Sequence, residues 1–342
     1  MTRLLKIGTR GSELALFQAH AVADLLRARS GVECDIVIIK TSGDVLADAP
    51  LSQIGGKRLF VKEIEDALLS GAIDVAVHSS KDMPALLPTG LEIGAVLPRE
   101  DARDAMVLPD VRGAGPTASP GSSSRGPANV EPLTSIDAVA RRLGEAARIG
   151  TSSVRRIAQL RRLLPGATFE PVRGNLGTRL RKLDEGEFDA VVLAAAGLRR
   201  LGQESRISAL LPAAACVPAP GQGIIAVEIR SGDDGTRQLV AQADDGLAAA
   251  ALIAERTVVE QLGGGCQMPI GAYASTTSDV LNLTAIVLSI DGSRAVAAEQ
   301  SGALSEAAIV GLLAAKELLA GGAGEILADV ERVRAGVEGL QP

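Results

Sequence analysis

The sequence predicts an α/β protein: two α/β domains followed by a smaller α+β domain. Three observations carry this. Short apolar runs alternate with helical patterns through the first hundred residues and again from Arg148, as in mostly parallel sheets covered on both faces. Between the two runs, 13 of the 24 residues in 109–132 are Pro, Gly or Ser (five, four and four), the composition of a mobile linker. Past residue 230 the alternation gives way to two helical patterns and a hairpin.

In order, residues 4–8 read as a strand, 12–29 as a helix and 34–40 as a buried strand rich in Val and Ile. A helix over 58–70 stopped by Gly71 and a strand over 73–77 complete the first run. In the second, 148–150, 167–172 and 188–193 read as strands, and 154–164 and 176–184 as helices. After the loop 217–223, with Pro218, Pro220, Gly221 and Gly223, the strand 224–229 returns to the first sheet. Helices follow near 247–262 and 306–319, with Asp291-Gly292 as a hairpin turn. The domains are therefore 1–104 with 224–241, 105–217, and 246–342.

Composition narrows the function. Of 342 residues none is Trp, one is Tyr and four are Phe, too few for a base-stacking platform. The net charge of −6 is no general nucleic-acid footprint. Between Arg148 and Lys182, however, nine basic residues face one acidic residue, Glu170: +8, leaving −14 for the rest. A charge precedes any apolar run at the N-terminus and no apolar stretch approaches the ~20 residues of a membrane span, so a cytoplasmic protein without membrane partners is expected. Cys34, Cys216 and Cys266 are too scattered for a disulfide framework or a zinc site, and two histidines offer little metal or acid–base chemistry.

Two turns repeat each other: Ile7-Gly8-Thr9-Arg10-Gly11-Ser12 and Ile149-Gly150-Thr151-Ser152-Ser153 both run from a strand into a helix start, with arginines close by. Ordinary Ser/Thr capping explains either copy alone. Two facing copies suit a ligand with several carboxylates, since helix N-termini favour anions. Arg173 and Arg179 add cations at a third such turn. Gly55-Gly56-Lys57-Arg58 fails the spacing of a phosphate loop. His78-Ser79-Ser80-Lys81-Asp82-Met83-Pro84 follows the strand 73–77, where ligands of α/β sheets gather. It reads as a surface loop with a Lys–Asp pair, or as a catalytic turn in which Asp82 handles protons or a cation. Cys34 reads as core, whereas the three glycines ahead of Cys266 expose its thiol for lasting attachment of a group, no base being near.

Seven segments together resemble the hydroxymethylbilane synthase (porphobilinogen deaminase) family: IGTRGSELAL (7–16), GGKRLFVKE (55–63), VHSSKDMP (77–84), GTSSVRR (150–156), VRGNLGTRL (172–180), APGQG (219–223) and GGCQMPIG (264–271). The resemblance implies two type II periplasmic-binding-protein-like domains plus a smaller third, carrying a dipyrromethane cofactor covalently on Cys266. It implies head-to-tail condensation of four porphobilinogen molecules with release of ammonia, then hydrolysis to hydroxymethylbilane, by a cytoplasmic monomer without nucleic-acid partners or metal. Asp82 is then the catalytic carboxylate. Arg10, Ser12, Lys57, Phe60, Ser79, Lys81, Thr151, Ser153, Arg155, Arg156, Arg173, Arg179, Arg200 and Gln222 fall at cofactor or substrate. Gln53 stands where many relatives have Lys. The rival is a non-catalytic periplasmic-type binding protein for a small polycarboxylate, which needs neither Cys266 nor Asp82.

Overall fold

The computed structural model describes residues 4–45, 61–110, 136–265 and 267–338. In chain order the first sheet draws on β1 (Leu4–Thr9), β2 (Glu33–Ile38), β3 (Val75–Ser79) and β4 (Leu91–Val96), with helices α1 (Glu13–Ser30), α2 (Ser42–Val45) and α3 (Lys62–Leu69) between them. The second is built from β5 (Asp104–Val107), β6 (Arg148–Gly150), β7 (Thr168–Glu170), β8 (Ala190–Ala194) and β9 (Ala209–Leu210). Its helices are α4 (Ile136–Leu143), α5 (Val154–Leu163), α6 (Leu176–Asp184) and α7 (Ala195–Arg200). β10 (Ile225–Arg230) then returns to the first sheet, followed by α8 (Asp234–Val240) and α9 (Gly246–Gln261). A hairpin-linked sheet of β11 (Ile270–Thr276), β12 (Val280–Leu288) and β13 (Ala295–Ala303) precedes α10 (Ala307–Ala320) and α11 (Ala323–Glu338).

The first two sheets have matching strand orders, β2-β1-β3-β10-β4 and β7-β6-β8-β5-β9. In each, the second strand in the order, β1 or β6, runs parallel to its two neighbours, and the fourth strand in the order is antiparallel and arrives from a crossover. β5 is handed forward to the second sheet and β10 handed back to the first, so two crossover segments join them. This is the type II periplasmic-binding-protein arrangement expected from the resemblance. The repeated turns occupy equivalent places, at the ends of β1 and β6.

Local chemistry fixes the boundaries. Ser12 caps α1, its Oγ accepting from the Ala15 amide at 3.3 Å, and Gly31 at φ 66° closes the helix by donating to the Arg27 carbonyl. Leu5, Ile7, Val75, Val77, Val227 and Ile229 pack under α1, while Ile64 and Leu68 of α3 cover the other face at Ile73 and Ala76. The third sheet buries its face against α9, α10 and α11 through Val258, Leu283, Val287, Val310 and Ile326.

Four expectations change. The strand near 34–40 is an edge strand with alternating exposure rather than a buried one, because among the described residues it pairs with β1 alone; Cys34 is accordingly half-buried and not core. The strand expected at 73–77 is shifted to Val75–Ser79, so His78 is a buried strand residue and the turn starts later. Asp104, placed at the end of the first domain, opens β5 of the second sheet. β4, β5, β9, β11, α2, α4, α7, α8 and α11 have no counterpart in the sequence reading. The linker, apart from Pro109, Asp110 and their predecessors, and the start of the helix over 58–70 lie outside the described residues.

Candidate active site

All three strand-to-helix turns cap their helices with side-chain oxygens. Besides Ser12, Ser153 Oγ accepts from the Arg156 amide at 3.4 Å and Asn175 Oδ1 from the Thr178 amide at 2.9 Å. The buried Thr151 hydroxyl accepts from the Ser153 amide at 3.3 Å. Capping uses a lone pair and leaves the O–H of Ser12, Thr151 and Ser153 able to donate to a carboxylate.

A cavity of about 210 Å³ opens between the three sheets. Lys81 and Asp82 enter it from the 3₁₀ turn Ser80–Asp82 after β3, Ser153, Arg155 and Arg156 from the start of α5, and Gln222 from the second crossover. Gly265 and Met268, either side of position 266, line its far wall with Arg256. The crossover reaches in because Gly221 and Gly223 adopt φ of 72° and 88°, and a Cβ on Gly223 would lie 2.3 Å from the Glu100 carbonyl oxygen. A smaller cavity, about 60 Å³, is lined by Arg10, Ser12, His78 and Ser79, and Asp82 borders both.

The residue behind Arg155, Arg156 and Gln222 is Asp104, fully buried at the start of β5. Arg156 donates to its Oδ1 from Nε at 3.0 Å and Nη2 at 2.8 Å, Arg155 Nη1 lies 2.8 Å from Oδ2, and Gln222 Nε2 donates to Oδ1 at 2.8 Å. Burial alone would raise this carboxyl; the two guanidiniums outweigh it and hold the group well below the usual carboxylate range. Cys216, 3.5 Å from Asp104 Oδ2, is pushed up to about 12 by burial and by that carboxylate, which makes it an inert thiol. Arg155 also donates to the Val217 carbonyl at 2.6 Å, and Arg156 to that of Val192 at 2.8 Å.

Burial lowers Lys81 to about 8, with Asp82 opposing and Arg156 adding to the shift. Arg179 is lowered to about 10 for the same reasons, burial first, then Arg156. Four cations (Lys81, Arg155, Arg156, Arg179) therefore stand near two carboxylates (Asp82, Asp104), an excess of two positive charges suited to a polyanion.

The structure thus brings together Lys81, Asp82, Ser153, Arg155, Arg156 and Gln222 at one cavity and Arg10, Ser12, Ser79 and Asp82 at the other. Arg179 lines neither and donates from Nε to the Gly174 carbonyl at 2.9 Å. Arg173 is half-buried on the loop before α6. Arg200 donates to the Gly223 carbonyl at 2.7 Å, and burial lowers it to about 10. Lys57, Phe60 and Cys266 lie outside the described residues. Asp104 was missed; its one sequence signal is a lone carboxylate opening an apolar run, Asp104-Ala105-Met106-Val107.

Two buried acceptors at the larger cavity, Ser80 Oγ and Gln222 Oε1, have no hydrogen-bond partner among the described residues. Together with the cations they fit a group carrying both N–H donors and carboxylates, as linked pyrroles bearing acid side chains do.

Fold and site define a two-lobed α/β protein with a cationic cleft closed by a third domain. Residues 5–238 match the family model "Porphobilinogen deaminase, dipyromethane cofactor binding domain" and residues 249–320 the model "Porphobilinogen deaminase, C-terminal domain". The chain belongs to the porphobilinogen deaminase family. The porphobilinogen deaminase of Syntrophobacter fumaroxidans is 43% identical over 96% of this chain and 99% of its own length, and that of Acidithiobacillus ferrooxidans is 46% identical over the same shares. A crystal structure of the Bordetella pertussis BvgS VFT2 domain (double mutant) is 17% identical, with a TM-score of 0.39 over 70% of this chain and 86% of that one. The chain is a transferase of tetrapyrrole synthesis with hydroxymethylbilane synthase activity: it joins four porphobilinogen molecules head to tail, releasing ammonia, and hydrolyses the product free. It uses a dipyrromethane cofactor. The binding-protein alternative is not favoured.

Proposed function

We propose that the larger cavity is where porphobilinogen units are joined, with the cofactor attached through Cys266 and Asp82 as the charge-handling group. The observation that carries this is the convergence of Lys81, Arg155, Arg156 and Asp82 on a cavity whose far wall is the chain on either side of position 266. Dipyrromethane, when bound, supplies the permanent pyrrole end that is extended.

The protein's own residues do the rest. Lys81, Arg156 and Arg179, with Arg10, Arg155, Arg173 and Arg200 around them, hold acetate and propionate carboxylates. The O–H groups of Ser12, Ser79, Thr151 and Ser153 donate to the same anions. Gln222 Oε1 accepts a pyrrole N–H. Lys57 and Phe60 belong to this site by their motif. Asp82, exposed and bordering both cavities, stabilises the positive charge left when the aminomethyl nitrogen departs with its bonding pair, and takes the proton lost as the new bond forms.

The three sheets support division into 1–104 with 224–241, 105–217, and 246–342, save that Asp104 goes with the second. We read the protein as a cytoplasmic monomer whose partner is its small substrate and not nucleic acid or membrane; its net charge of −6 supports the second point. Intact mass of the denatured protein tests the attachment. Wild type should exceed its sequence mass by two linked pyrrole units, Cys266→Ala should lack the excess and all turnover, and Cys34→Ala or Cys216→Ala should retain it. An adduct surviving in Cys266→Ala would refute the assignment.

A further inference from the structure

His78 and Glu228 form a buried pair that the proposed chemistry leaves unused. Nε2 of His78 lies 3.0 Å from Oε2 of Glu228 across the β3–β10 ladder, and the two residues are 5% and 0% exposed. Glu228 Oε1 has no hydrogen-bond partner among the described residues, a costly state for a buried carboxylate unless its charge is used. His78 also lines the smaller cavity, whose 60 Å³ is room for water and whose other wall carries Asp82. Since Nε2 is held by Glu228, Nδ1 is the ring nitrogen left for that cavity.

We infer that His78, seated on Glu228, is a relay residue that clears the proton from Asp82 through water in the smaller cavity. This rests on the reading of Asp82 given above. In each cycle the ring carbon that gains the new bond loses its hydrogen as a proton, the C–H pair returning to the ring, and Asp82 takes that proton. A cavity water accepts it while passing one of its own to His78 Nδ1. Glu228 balances the resulting imidazolium, and the ammonia set free in the same cycle is the final acceptor, leaving as ammonium. Water and side chains end as they began. Asp82 must be empty again before each further unit is added, and the smaller cavity gives its proton a way out on the side away from the incoming substrate.

The charged groups that share the smaller cavity with His78 are Asp82 from the following turn and Arg10 from the turn after β1, with Glu228 on β10 against the ring; α3, which packs on this face of the sheet, carries the buried Glu65, and α1 contributes the neutral Gln18. Only one other histidine exists, His20, exposed on α1, so imidazole NMR of the holoenzyme isolates His78 cleanly.

The test follows the ring-nitrogen NMR signals of His78 in wild type, Asp82→Asn and Glu228→Gln, alongside kcat and its solvent isotope effect in His78→Gln. A proton path through water couples the ring to both carboxylates, so both carboxamide variants should shift the His78 ring signals. His78→Gln should keep the cofactor and the KM for porphobilinogen, lose about tenfold or more in kcat, and alter the solvent isotope effect. His78 ring signals unmoved by Asp82→Asn overturn the relay, as does a His78→Gln variant with wild-type kcat and isotope effect. Should His78→Gln fail to fold, the two sets of ring signals decide alone. Full activity in Asp82→Asn would instead strike the underlying reading of the site, a separate result.

Discussion

Arg99 and Glu255 meet as a two-pronged pair, Nη1 to Oε1 at 2.6 Å and Nη2 to Oε2 at 3.3 Å, with the carboxylate wholly buried. Their other contacts explain the position. Glu255, on α9, also accepts from the amides of Gly221 at 2.6 Å and Ala274 at 2.7 Å. Arg99, just after β4, donates to the Gln222 carbonyl at 2.9 Å and stacks 4.9 Å over the Tyr273 ring. One ion pair therefore pins the crossover that carries Gln222 to both the first and the third sheets.

Glu255→Ala leaves Arg99 largely buried without its counter-charge and two amides without an acceptor. Removing one partner of such a pair costs about 3–5 kcal/mol, which urea unfolding should register. A loss below about 1 kcal/mol would mean that the crossover is held by other contacts.

Asp82→Asn keeps the shape of the turn and removes its charge. Turnover should fall roughly 10²–10⁴-fold, with an unchanged melting temperature, since Asp82 is exposed on a 3₁₀ turn. More than about a third of the wild-type rate would exclude it as the charge-handling group.

The arginines should separate into two kinds. Arg155 is locked between Asp104 and the Val217 carbonyl, so Arg155→Leu should lower stability by about 3 kcal/mol as well as harm turnover. Arg173 is half-buried on a loop; Arg173→Leu should spare folding, weaken a carboxylate contact by roughly 1.5–3 kcal/mol, and stall chain growth. Native mass spectrometry after limiting substrate shows which intermediates accumulate. Wild-type progression in Arg173→Leu would remove that residue from the site.

Lys81 sets a pH dependence. Its ammonium is lost as pH rises through about 8, so the KM for porphobilinogen should climb between pH 7 and 9.5, and Lys81→Gln should abolish that climb. The sign for stability is opposite: the native state binds fewer protons here than the unfolded chain, so this group's contribution improves from about 8 up to the ordinary lysine value near ~10.4. A flat KM over the range would show that Lys81 meets no carboxylate.

Asp104 behaves as the depressed acid it is. Its stabilisation is present above the ordinary carboxylate value near ~4 and is lost as pH falls from there toward its lower native value. Asp104→Asn should remove this acid-side dependence in pH-jump melts and cost about 3–5 kcal/mol at neutral pH, by leaving Arg155 and Arg156 buried together. Unchanged acid melts would place the dependence on other carboxylates.

What the sequence made legible was local. The helix over 176–184 emerges with the boundaries expected, because Asn175 caps it and its apolar residues have helical spacing. The duplicated Gly-Thr turns marked equivalent positions in two sheets. Pairings across long separations were not legible: Asp104 meets Arg155 and Arg156 some fifty residues away, and Glu228 meets His78 across 150, with no periodicity to announce either. Short strands such as β9, two residues held by β5, give too little pattern to read. The excess of arginine from 148 to 182 was visible, but a count of charges does not say which guanidiniums are spent on a buried partner.

The return of β10 bears on how the chain is made. β3 and β4 are close in sequence yet never pair; the strand between them is synthesised about 130 residues after β4. During translation, both must wait on the ribosome with open backbone edges while the whole second sheet emerges. Such edges invite pairing with a neighbouring nascent chain. The N-terminal unit therefore cannot mature first, and its completion is tied to the arrival of the very crossover that carries Gln222 into the cleft. A polypeptide cut short before Ile225 lacks not a peripheral piece but the stave that joins β3 to β4 within its opening sheet.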